Sequence, residues 1–248
     1  MWGDPPSGNG ASSFHLWWEV PYGERLTRAS VVLEVLEPPQ VDRLYFWALQ
    51  VSFVKPDGGG AHLGLQHNRR FPGRTAANWG GYAPAHEGGL LAGSPSPLPS
   101  TPEDANTRDF AWEPARPYRF VIERSSEPAP NALIAWRGSI EDATTGEATV
   151  VRDLYSRGAY LRGPVVWTES FARCEHPPVA VRWSEASVVG EDRGEIPVDT
   201  VSVNYQTHSA GGCGNTDAVV DGRGWMQRTG TERSTRPGAT LRVGGGEA

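Results

Sequence analysis

The densest set of side chains suited to chemistry lies between Gly60 and Gly89. Gly60-Ala-His62-Leu-Gly64-Leu-Gln66-His-Asn68-Arg-Arg leads through Pro72-Gly73 to Asn78-Trp79-Gly-Gly-Tyr82, then to His86-Glu87-Gly-Gly. A strand over residues 62–66 turns Leu63 and Leu65 one way and His62, Gly64 and Gln66 the other, because successive side chains alternate between faces. The second face is polar rather than core. Gln66 and Asn68 each donate and accept, as sugar hydroxyls demand. Trp79 and Tyr82, flanked by glycines, offer flat rings for stacking on a pyranose, and Glu87 could meet an axial hydroxyl. Amide side chains beside an aromatic platform are what a carbohydrate site needs. The competing reading puts Trp79 and Tyr82 in a core and leaves Gln66 to satisfy backbone groups.

Carboxylates give a second chemistry. Glu169 follows Val165-Val-Trp167-Thr and shares a strand face with Trp167. It is the best single acid next to an aromatic, with Glu87 as the nearest candidate partner. Retaining glucanases carry two carboxylates on one strand as E-x-D-x-x-E, spaced for nucleophile and acid, and no such run occurs. Glu34 and Glu37 are three apart and point to opposite faces of a strand, while Glu141, Asp142 and Glu147 surround a turn. Cys174 with His176 or His208 invites a thiol-nucleophile reading, but no family-type motif surrounds the cysteine. Two inert thiols, or a Cys174–Cys213 pair in an exported protein, are the plainer expectations. The six histidines and two cysteines show no zinc-ligand spacing, so no metal and no cofactor are expected. G-x-S-x-G, Walker and dinucleotide motifs are missing. Arg69, Arg70 and Arg74 put three cations in six residues, a grip for phosphate or carboxylate or else a solvated loop.

The elements that must position these groups are strands. Tyr45, Trp47, Leu49, Val51 and Phe53 share one apolar face, opposite Phe46, Ala48, Gln50, Ser52 and Val54. Leu133 to Ile140, a polar loop ending in Gly146, and Ala148 to Tyr155 read as a hairpin with the glycine in the left-handed position. No glycine- and proline-free run of helical period reaches ten residues. About a dozen short strands predict an all-β, antiparallel two-sheet sandwich or jelly roll with long loops. One domain over 14–243 is expected, with a Pro/Ser-rich loop at 92–107 and loose ends at 1–13 and 244–248. Tryptophan divides into a core set (Trp47, Trp136, Trp183) and a set beside turns and polar groups (Trp79, Trp112, Trp167), the second being where function is sought. Glycine (30) and proline (21) then serve as turn chemistry. A net charge of -6 argues against duplex nucleic acid and anionic membrane surfaces, and no apolar run approaches the roughly 20 residues of a membrane helix. The first ten residues lack the basic and apolar regions of a secretory signal, which leaves a cytoplasmic protein or an exported one already processed.

The Gly64-x-Gln66 strand, Trp79, the Glu87-Gly88 turn, Trp112 before Tyr118-x-Phe120, and Trp136 before Asp142-x-x-x-Gly146 occur in that order. Over roughly residues 14 to 185 this layout resembles an uncharacterised bacterial β-sandwich family whose members are often exported. More remotely it is similar to concanavalin-A-like lectins and glucanases. The resemblance implies a jelly roll with a glycan-binding concave face. The expectation is therefore a lectin-like, carbohydrate-binding module contacting a glycan through Gln66, Asn68, Trp79, Tyr82, Glu87, Trp112 and Trp167. The alternatives are a polysaccharide hydrolase or lyase using Glu169 or Glu87, and a structural or protein-interaction sandwich.

Overall fold

The computed structural model describes residues 10–101 and 104–244. Among them the alternating pattern becomes sixteen strands, and the only helical pieces are three single 3-10 turns. The strands form two antiparallel layers, as the alternation predicts. The front layer holds β1 (Ser12–Trp18), β3 (Tyr45–Val54), β4 (Gly60–His67), β5 (Thr75–Tyr82), β6 (Thr107–Asp109), β10 (Tyr160–Ser170), β13 (Thr200–Tyr205) and β16 (Thr240–Arg242). Their order is β16-β13-β1-β10-β3-β4-β5-β6. The back layer holds β2 (Leu26–Glu37), β7 (Pro117–Arg124), β8 (Ile134–Asp142), β9 (Ala148–Ser156), β11 (Ala180–Gly190), β12 (Gly194–Pro197), β14 (Thr216–Asp221) and β15 (Gly224–Thr229). Its order is β14-β15-β11-β2-β7-β8-β9, with β12 pairing further along β11. One residue pair, Leu161 with Leu26, links the layers. The strands that exceed the expected dozen are short edge pieces such as β6, β12 and β16, too brief to show a period of two.

The core fills the space between the layers. Tyr45, Trp47, Leu49, Val51 and Phe53 all point into it. Phe53 of the front layer stacks on Trp136 of the back at 5.3 Å. Trp47, Trp136 and Trp183 are wholly buried, as expected of the core set. The β8–β9 hairpin forms, and Gly146 sits at φ 76°, the left-handed conformation its turn needs.

The proline- and serine-rich segment is structural. Ser94 exchanges backbone and side-chain hydrogen bonds with Asp153, and Tyr155 N–H donates to Ala92 C=O at 2.8 Å. The segment therefore runs beside β9, the back edge, before entering β6, the front edge. A Cys174–Cys213 disulfide, with Cα atoms 5.5 Å apart, ties the β10–β11 connection to the loop after β13. Most of the expected loose ends lie outside the described residues, but Ser12 and Ser13 already belong to β1.

Candidate active site

Strand register decides which polar groups meet on the outer face of the front layer. Phe46 on β3 pairs with Glu169 on β10 and with Gln66 on β4. Ser13 on β1 pairs with Glu169 on its other side. Ser13, Glu169, Phe46 and Gln66 therefore stand in one row on one face. Glu169 and Gln66 are two strand spacings apart, about 10 Å between backbones. The Phe46 ring between them leans along the strand, edge-on to Trp167 at 4.9 Å and His62 at 5.4 Å. It floors the gap rather than filling it.

The next row is His15, Trp167, Ala48, Gly64 and Asn78. Its centre is hollow because Ala48 and Gly64 are small. A Cβ at Gly64 would lie 1.9 Å from the Trp47 carbonyl oxygen, so only glycine fits where β3 and β4 approach. The result is an open groove of about 430 Å³ whose walls include Gln66, Glu169, His15, His62, Asn78 and Trp167.

The carboxamide of Gln66 is oriented by its neighbours. Arg70 N–H donates to Asn68 Oδ1 at 3.1 Å, which leaves Asn68 Nδ2 to donate to Gln66 Oε1 at 2.9 Å. Gln66 Nε2 is then the atom turned to the groove, a donor. The Gln66 backbone carbonyl is held by Trp112 Nε1 at 3.0 Å. Trp167 Nε1 donates to Gln50 Oε1 at 3.1 Å, fixing its ring beside the acid.

Burial sets the charge of the site. His62 and His15 are both pushed down to about 4 by desolvation; Asn78 and Asp104 oppose this at His62 but do not overcome it. Both imidazoles are neutral at pH 7. Asp104, also on the groove wall, is committed to its own turn. Oδ1 accepts from the Asn106 and Thr107 N–H groups and Oδ2 from the Thr107 hydroxyl. Among the described residues no serine or threonine hydroxyl is hydrogen-bonded to a histidine, and both cysteines are in the disulfide. Among the same residues no group of three or more His, Cys, Asp or Glu side chains is placed to hold a metal. The groove wall thus brings a glutamate, Glu169, and an oriented carboxamide, Gln66, into one row.

Several sequence expectations need correction. Trp79 has no exposed surface; its ring packs where a Cβ on Gly138 would come within 2.7 Å, so it cannot stack on a ligand. Trp112 is also buried, edge-on to Trp47 at 5.6 Å, and acts through the Gln66 backbone. Glu87 lies in the turn after β5 and is paired with Arg157 at 2.7 Å, away from Glu169. Asn68 is buried and spends its amide on Gln66 and Arg70. Tyr82 is exposed and lines the groove with Gln66, Trp167 and Glu169. His15, Phe46, Gln50, Asn78 and Asp104 were not singled out as site residues. The alternation in Ser13-Phe-His-Leu-Trp and in Asn78-Trp-Gly is the signal that marks His15 and Asn78.

No family model matches the chain, and no curated protein matches its sequence. Solved structures do. One is scytalido-glutamic peptidase with a peptide-based transition-state analogue, at 11% identity and TM-score 0.45, covering 87% of this chain and 97% of that one. Another is SCP-B, a member of the eqolisin family of peptidases, with the tripeptide Ala-Ile-His; identity is 11%, TM-score 0.43, and coverage 88% and 96%. At this identity the likeness does not transfer a site. Both are peptidases, and the expected resemblance to concanavalin-like lectins finds no support in them. Trp79, one of the two rings expected to stack on a sugar, lies in the core while Tyr82 is exposed, and the similar solved structures are peptidases, so the lectin-like, carbohydrate-binding reading is overturned.

Proposed function

We propose that this protein is a hydrolase of amide bonds in an extended polypeptide lying in the groove, with Glu169 as general acid/base and Gln66 as donor to the carbonyl oxygen. The observation that carries the reading is the shared row: a carboxyl and an oriented carboxamide flank Phe46 on one face. Glu169 takes a proton from water as the water oxygen attacks the carbonyl carbon. Gln66 Nε2–H donates to the oxygen that gains charge. The C–N bond then breaks, and Glu169 returns the proton to the departing amine. Water supplies both the hydroxyl of the new acid and the hydrogen of the new amine, so nothing else is consumed.

Glycoside hydrolysis fits less well. It asks for two carboxyls flanking one bond, yet Glu87 is paired elsewhere and Asp104 is tied into its turn.

The test is direct. Unfolded casein incubated with the protein, from acid to neutral pH, should yield new termini by mass spectrometry, and Glu169→Gln should yield none. Intact casein at every pH would sink the proposal.

A further inference from the structure

Beyond Gln66 the groove continues past the end of β4 into a second recess of about 290 Å³. Leu44, Gln66, Asp104 and Phe171 line both, so the two form one trench. The new walls are Arg43, Arg69 and Arg70. This protein is acidic, with net charge -6, and its surface arginines commonly have carboxylate partners, as Arg25, Arg116, Arg182 and Arg228 do. Among the described residues Arg43, Arg69 and Arg70 have none. Two carboxylates also line the recess, but Asp42 is paired with Arg74 at 3.4 Å and Asp104 is bonded within its own turn. Three guanidinium groups without a direct carboxylate partner therefore share one recess, and an anionic ligand would relieve their mutual repulsion.

The loop that carries them is held in place. Asn68 N–H donates to Arg74 C=O at 2.7 Å, Phe71 N–H to Asn68 C=O at 3.1 Å, and the Phe71 ring is buried. The same Asn68 orients Gln66, so recess and donor share one support. Arg43 precedes Phe46 by three positions and Arg69 follows Gln66 by three. At no more than about 3.3 Å per residue, both backbones lie within about 10 Å of the Glu169–Gln66 row. An extended peptide covers that distance in three residues. Among the described residues, the opposite end of the groove, around Tyr82 and Asp57, is lined by no Arg or Lys, so the trench is electrically one-sided.

Building on the hydrolase reading, we infer that Arg43, Arg69 and Arg70 form a subsite for a peptide carboxylate two to three residues from the bond cut. Arginine's planar fork suits such a group by paired N–H donors. The carboxylate is a Glu or Asp side chain, or the chain's own C-terminus.

Binding to the Glu169→Gln protein separates this from catalysis. Three acetylated alanine-rich octapeptides serve as probes: one with paired internal Glu and an amidated end, one with Gln in their place, and one Gln peptide with a free carboxylate end. Titration calorimetry should show the Glu peptide about tenfold tighter than its Gln counterpart, with the advantage shrinking at high salt. Tight binding of the free-acid Gln peptide instead assigns the subsite to the C-terminus. Arg69→Ser with Arg70→Ser should collapse the ratio, and Arg43→Glu should reverse it toward a Lys peptide. Equal binding of all three peptides, or a ratio untouched by these substitutions, overturns the subsite. Preferential binding of the Glu peptide while the parent protein cleaves no peptide removes the hydrolase and leaves the subsite standing.

Discussion

Asn68 Nδ2 donates to Gln66 Oε1 at 2.9 Å, and this one bond decides which end of the Gln66 amide faces the groove. Asn68 is itself fixed, because its oxygen accepts the Arg70 N–H. Asn68→Asp replaces the donor with an oxygen, so Gln66 must turn its Nε2 inward to meet it. Peptide hydrolysis should then fall about a hundredfold in kcat, the scale of one lost oxyanion donor, while KM stays close to the parent value. An unaltered kcat in a correctly folded variant would separate Gln66 from the chemistry.

Glu169→Gln should lower kcat by about 10²–10⁴, the range for a lost general acid/base. Gln66→Leu should lower it less, and the double variant little further than Glu169→Gln alone. Steady-state kinetics on a fluorogenic peptide provides the comparison. Full additivity would show the two side chains acting independently.

The tryptophans should part by role. Trp79→Ala opens a cavity in the core, at a cost of about 3–5 kcal/mol in urea unfolding. Gly138→Ala should also destabilise, since its methyl would meet the Trp79 ring. Trp167 is also buried, packed with Phe46, Ala48 and Val165 under the groove, so Trp167→Ala should both destabilise the fold and raise KM. A Trp79→Ala protein of normal stability but poor substrate affinity would reverse this assignment.

Acid should weaken the fold through the two groove histidines. Each has its folded value near 4, below the ordinary 6.5. The unfolded chain therefore binds protons first, and the stability contributed above pH 6.5 is lost as pH falls through about 4. The loss is on the order of 3 kcal/mol for each histidine. Urea midpoints at pH 7, 5.5 and 4 should fall, and His62→Gln should flatten the trend. A midpoint independent of pH over that window contradicts the burial of both rings as neutral groups.

Reducing the Cys174–Cys213 bridge releases a loop with a sequence separation of 39. Loop entropy sets the destabilisation at about 4 kcal/mol at most. The Cys174→Ser, Cys213→Ser protein should melt lower while its kcat on peptides changes little. Collapse of kcat with an unchanged melting temperature would place the bridge in the site's geometry.

The layered all-β fold was legible because alternation is local: Tyr45 to Val54 declares its two faces within ten residues. The polar face of His62, Gly64 and Gln66 was legible for the same reason, as was the shared face of Trp167 and Glu169. That these two faces are one surface was not. It depends on β3 pairing with β4 and β10 in one register, a contact between residues more than a hundred positions apart. Trp79 misled because two flanking glycines read equally well as a ligand platform and as close packing; Gly138, far along the chain, makes it the latter. Glu87 misled because its partner, Arg157, is equally distant.

The join between β3 and β10 also has a consequence in time. Gln66 is synthesised early, with β3 and its neighbours, but the acid of the proposed pair arrives only with residue 169 and reaches its place only after pairing with both β1 and β3. A nascent chain shorter than that has the donor and half the trench but no proton acceptor. The chemistry proposed for the groove therefore becomes available only when the sheet has closed around β10.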